Sequence, residues 1–170
     1  LAIMLSGFAA MGLEILWFRY LTTILGTRRA TFSLLLTVIL LGIWAGSVLG
    51  GALHRRFGRA ALFYILSQAL LVVTALASLY FYDLTVLPKG GLLPAILATD
   101  GLWRAVLEVW AQVRIILFLV GLPALCMGLA FPLANANIQR VEASVGTRAG
   151  LLYLANTVGA VVGSLITGFL

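Results

Sequence analysis

Five side chains in this sequence carry a carboxylate, and one of them, Glu14, stands near the middle of an apolar run from Leu1 to Leu25. A charged group at the centre of a membrane helix costs about 2.5–3.5 kcal/mol on insertion scales, so such residues face a protein interior or a watery cavity. Arg19 lies five residues on, roughly 140° around a helix at about 100° per residue, which makes it a poor partner within the same helix. It is expected to snorkel toward the Arg28 end. Glu14 is then protonated or bonded to another helix, and either ties its helix into a bundle or offers a proton or ligand site. Asn135, Asn137 and Asn156 are the other polar groups near apolar runs. An intramembrane Asn usually glues helices, at about 0.6 kcal/mol per hydrogen bond. Pro132 can kink its helix and free a carbonyl, which Asn135 or Asn156 is expected to satisfy. Glu14, Arg19, Asn135 and Asn156 are therefore the candidate intramembrane polar site.

Other chemistry is thinly represented. The lone histidine, His54, sits in a basic run, and the lone cysteine, Cys126, sits in an apolar one, so no metal set or disulfide can be assembled from these types. No nucleophile–base pair can be named, no cofactor is indicated, and the chain reads as non-enzymatic.

The elements that must position these residues follow from composition. Of 170 residues, 63% are hydrophobic and only 9% charged, with a mean hydropathy of +1.15. A soluble domain carries about 25% charged residues, so this chain has too few to cover a water-facing surface. Its 11 Lys and Arg against 5 Asp and Glu are spread thinly and form no basic stripe for nucleic acid. In a membrane protein the same excess marks positive loops beside anionic lipid.

A bilayer core of about 30 Å needs about 20 mostly apolar residues in a helix. Five stretches qualify: residues 1–25, 30–53, 61–82, 113–136 and 149–170. The expected fold is an all-α, polytopic bundle of about five spans in a single integral membrane domain. Both chain ends fall inside apolar sequence, so the chain is expected to be a fragment of a longer protein. Gly26 to Arg29 reads as a tight turn between spans one and two. His54 to Arg59 is the densest positive run, and Arg55, Arg56 and Arg59 are expected to face lipid headgroups. Between spans three and four, Asp100 to Gln112 reads as a surface helix. Trp103, Val106, Leu107 and Trp110 form its apolar stripe, with Arg104, Glu108 and Gln112 on a polar face. Trp103 and Trp110 suit the headgroup boundary; packing on the bundle is the alternative.

Basic residues divide evenly between the two sides, five and five. Charges in short loops weigh more, which places the Arg55–Arg59 loop and the N-terminus in the cytoplasm. Landmarks also recur in order. Met11-Gly12-Leu13 is followed by Gly42, Gly46-Ser47 and Gly50, and Met127-Gly128-Leu129 by Gly159, Gly163-Ser164 and Gly168. The G-x-x-x-G stripes Gly42/Gly46/Gly50 and Gly159/Gly163 let helix backbones approach closely. An offset of three spans turns the copies antiparallel, as in the inverted three-helix repeats of transporters.

Several segments resemble one bacterial family. They are Ser6-Gly7-Phe8-Ala9-Ala10 through Gly12-Leu13-Glu14 to Trp17-Phe18-Arg19, Leu122-Pro123-Ala124 through Met127-Gly128 to Phe131-Pro132-Leu133, and Leu152 to Thr157 with Gly159-Ala160. Together they resemble the membrane domain of fused major-facilitator/spermidine-synthase-like proteins. The resemblance implies a bacterial inner-membrane location and a partner aminopropyltransferase domain of Rossmann type, for which this chain holds no G-x-G-x-x-G fingerprint. The run Gly51, Leu53, Arg55, Arg56, Gly58, Arg59 is similar to the major-facilitator signature G-x-L-x-D-R-x-G-R, with Arg55 where the acid belongs. That replacement argues against active transport. The expected function is a non-catalytic membrane domain anchoring or serving a spermidine-synthase-like domain. The alternatives are an accessory subunit of a respiratory or photosynthetic complex and a fragment of a small-molecule transporter. Its expected partners are the lipid bilayer, other membrane subunits or a fused cytoplasmic domain, and no nucleic acid.

Overall fold

A computed structural model describes residues 1–25, 29–80, 98, 100–139 and 145–170. All regular structure among them is helical: α1 (Ala2–Leu25), α2 (Arg29–Phe57), α3 (Ala60–Tyr80), α4 (Leu102–Ile116), a π-helical turn (Leu117–Gly121), α5 (Leu122–Gln139) and α6 (Val145–Phe169). Five helices are long and apolar enough to cross a membrane. An uninterrupted helix is what such a run requires, since lipid offers no partner for a free amide or carbonyl.

Three boundaries depart from the sequence reading. α2 runs four residues past Leu53, so Arg55 and Arg56 lie in its last turn rather than in a loop. Cations there oppose the negative end of the helix dipole, which lets the helix continue into polar sequence. Gly58 then stops it with a positive φ of 66°, its amide donating to the His54 carbonyl at 2.9 Å. The second correction concerns the surface helix. Asp100 to Gln112 is not a separate element: helix begins at Leu102 and passes through α4 and the π turn into α5, a single span candidate of 36 residues from Leu102 to Asn137. At 1.5 Å per residue that is about 54 Å, longer than the bilayer with its headgroups. The π turn passes the helix on without a break, and its Leu119 and Val120 are fully buried. Gly146 and Thr147, expected in a loop, belong to the first turn of α6. Residues 81, 82 and 140–144 lie outside the described residues.

α1 packs chiefly on α6, α2 on α5, and α3 on α5. α1 and α2 meet through Phe18 and Phe32, edge to face at 5.3 Å, and the turn expected at residues 26–28 lies outside the described residues. Phe131 and Tyr153 meet edge to face at 6.2 Å between α5 and α6. The core gathers Trp17 and Leu21 of α1, Leu35, Val38 and Ile39 of α2, Ala75 of α3, and Ile116, Leu119, Val120 and Ala124 from the α4–α5 helix. The remaining faces of the spans carry exposed Leu, Ile, Val and Phe, the surface that lipid would cover.

Candidate functional site

The small-residue stripes lie at two helix crossings of matching design. On α2, a Cβ added to Gly42 would stand 2.6 Å from the Ala124 Cβ, one on Gly46 2.9 Å from the Gly128 Cα, and one on Gly50 2.9 Å from the Pro132 Cγ. On α6, a Cβ at Gly159 would overlap the Met4 carbonyl, and one at Gly163 would stand 2.9 Å from the Phe8 Cα. Thr167 Oγ1 lies 3.0 Å from where a Gly12 Cβ would be. In both series a step of four on one helix is matched by four on the other. α2 and α5 therefore run parallel, as do α1 and α6. Backbone contact this close is what small-xxx-small faces permit.

The two crossings are reciprocal. The second helix of each sequence repeat grips the first helix of the other copy: α2 holds α5, and α6 holds α1. An inverted repeat requires this exchange, because a two-fold axis in the membrane plane turns one crossing into the other. The register differs from the sequence alignment by about one residue. Gly46 meets the Leu125 carbonyl, which aligns with that of Ala9, and its counterpart Gly163 meets the Phe8 carbonyl.

Ser47 completes the α2–α5 crossing. Its hydroxyl donates to the Gly128 carbonyl at 3.2 Å. Pro132 stands inside α5 and has no amide for the carbonyl four residues earlier, which is that of Gly128. Neither Asn135 nor Asn156 satisfies this group, contrary to expectation; a serine on another helix does. The signal was present in the sequence, since Ser47 directly follows Gly46. In the second copy Ser164 bonds the Val161 carbonyl of its own helix instead.

The structure separates the four candidate polar residues. Arg19 does not pair with Glu14; its Nη2 donates to the Gly168 carbonyl in the last turns of α6 at 2.7 Å. Asn156 packs against Gly7, where an added Cβ would stand 2.8 Å from its Oδ1. Asn135 is half-buried, and no hydrogen bond from it to a described residue is formed. Glu14 is half-buried too, on the stripe it shares at sevenfold spacing with buried Gly7 and Leu21, away from the exposed Leu5 and Leu16. Among the described residues no donor bonds its carboxyl. Sequence reasoning missed one inward-facing polar group close by: Trp17 is 1% exposed, and its indole N–H is buried without a hydrogen-bond partner. Among the described residues no three His, Cys, Asp or Glu side chains come together.

The two ends of the bundle differ in character. Arg55, Arg56 and Arg59 are exposed at the α2–α3 end. At the other end α4 turns its apolar stripe outward, with Trp103 70% and Trp110 55% exposed, so these rings do not pack on the bundle. Ala105, Val106, Val109, Trp110 and Val113 line a shallow hollow of about 340 Å³ on that face. Arg104 and Glu108 pair at 3.3 Å on the opposite side of the helix. Comparison with family models, curated proteins and solved structures finds no match to this chain.

Proposed function

We propose that the chain is a non-catalytic membrane domain that anchors or serves a spermidine-synthase-like partner domain at a bacterial inner membrane. The pair of reciprocal glycine crossings carries this reading. Ser47, Arg19 and Asn156, all on or beside those crossings, make helix–helix contacts rather than line an opening, as expected of a scaffold whose task is to hold a shape in lipid. Reconstituting the chain in vesicles and adding a soluble spermidine-synthase domain tests it. The domain should sediment with chain-bearing vesicles and not with empty ones; equal sedimentation would refute the reading.

One observation favours a second reading, an accessory subunit of a larger membrane complex. The outward Trp103–Trp110 face of α4 offers an exposed apolar surface, and aromatic residues are enriched at interface cores. On that reading the chain, extracted in mild detergent, migrates in a large complex, and Trp103→Ala with Trp110→Ala releases it.

A further inference from the structure

We infer that the α2–α3 turn is a docking site for anionic phospholipid headgroups, with Arg55, Arg56 and Arg59 as its phosphate-binding groups. The inference rests on the membrane reading of the chain and adds the chemical class of lipid it selects.

The first observation is a concentration of exposed positive charge. Three exposed guanidinium groups fall within five positions, and among the described residues no carboxylate pairs with any of them. Glu14 lies mid-helix in α1, Glu108 is held by Arg104, and Asp100 precedes α4.

Geometry then selects the anion's source. The turn joins the ends of two spanning helices through only Gly58 and Arg59, so the guanidinium groups stand at headgroup level. Arg56 lies 5.7 Å above the Phe57 ring, and that ring meets Phe63 at 5.7 Å. Phe57 and Leu62 are both about half exposed and offer apolar contact beside the charges, as an acyl chain attached to a phosphate would need. Arg55 and Arg56 also suit the C-terminal end of α2, but Arg59 has no such reason. It immediately precedes α3, where the helix dipole disfavours a cation, and a bound phosphate would offset that cost.

The test titrates the purified chain in dodecyl maltoside with dioleoylphosphatidylglycerol and, separately, with dioleoylphosphatidylcholine, read by microscale thermophoresis. The glycerol lipid should bind about tenfold tighter, a screened fraction of the attraction that three surface arginines supply. Raising NaCl from about 0.1 M to about 1 M should erase the preference in the unmutated chain, because the Debye length falls from about 10 Å to 3 Å. R55Q/R56Q/R59Q should erase it too, while R104Q retains it. Equal binding of the two lipids, or a preference that survives either high salt or the folded triple variant, overturns the proposal. So does displacement by about 10 mM inorganic phosphate, which marks a free-anion site, since the headgroup charge is screened only weakly at that ionic strength. If the triple variant does not fold, the salt titration decides. Failure of the membrane reading itself would show separately, as extraction of the chain from membranes by alkaline carbonate.

Discussion

The hydroxyl of Ser47 on α2 donates to the carbonyl of Gly128 on α5, the carbonyl that Pro132 deprives of its helical amide. Two features of different helices are thus matched. A proline opens an acceptor in α5, and the residue after Gly46 fills it where the backbones are closest. Coupling between the two positions is the expected consequence. Ser47→Ala should cost about 0.6 kcal/mol, and less in a Pro132→Ala background, where the restored amide occupies the acceptor. A double-mutant cycle of detergent melting temperatures measures this, and strictly additive effects would count against the pairing.

Glycines of this chain should divide by what a Cβ meets. At Gly46 even alanine would overlap the Leu125 carbonyl, so Gly46→Ala should destabilise by about 1–3 kcal/mol, as overpacking does, and Gly46→Leu by more. At Gly150 nothing lies within 4 Å. Gly150→Ala should therefore be neutral or stabilising by up to about 1 kcal/mol through helix propensity. Thermal melts of both variants test the contrast; similar shifts would show the stripe to be an accident of composition.

Trp17 fills the core with its ring while its N–H stays unpaired. Trp17→Phe keeps most of the packing and removes the orphan donor, so it should shift stability by less than about 1.5 kcal/mol. Trp17→Ala should cost about 3 kcal/mol or more. A Trp17→Phe loss as large as that of Trp17→Ala would instead show that the indole N–H is bonded.

Arg19 ties α1 to α6 through the Gly168 carbonyl. Arg19→Gln should lower the melting temperature by the equivalent of about 1 kcal/mol, the usual size of a hydrogen bond involving an exposed charge. Glu14→Gln should leave the Arg19 contribution unchanged, since the two side chains do not pair. A cycle that couples Arg19 to Glu14 would contradict the geometry.

The parallel pairings place Phe57 and Gly146 at one end of the bundle and Leu102 at the other. In a Cys126→Ala background, cysteines at Phe57 and Gly146 should resist an impermeant maleimide in intact cells, whereas one at Leu102 should react. Opposite behaviour of Phe57 and Gly146 would break the repeat, and reversal of all three would invert the orientation.

The number of spans, the all-helical class and the positions of the small-residue stripes are all legible along the chain. Each is a local property: an apolar run of about 20 residues can satisfy its backbone in lipid only as a helix, and Gly46 is small whatever it faces. The partners of these features came from the tertiary structure alone. Two parallel crossings could have been built from several pairings of five similar helices, and packing selected α1 with α6 and α2 with α5. Landmarks aligned Gly128 with Gly12 and so Leu125 with Ala9, yet Gly163 meets the Phe8 carbonyl where Gly46 meets that of Leu125, because backbone approach is set by the shape of the facing helix and not by sequence likeness. Arg19 found Gly168, 149 positions away, and Ser47 found Gly128 across 81. The extent of the fourth span was hidden for a related reason. Arg104, Glu108 and Gln112 mark a polar face that reads as a separate surface helix, but nothing between Gln112 and Val113 breaks the helix, so the chain stays helical from Leu102 through the span. Spacing along the chain fixes which side chains share a helix face, and only the packed bundle decides what that face touches.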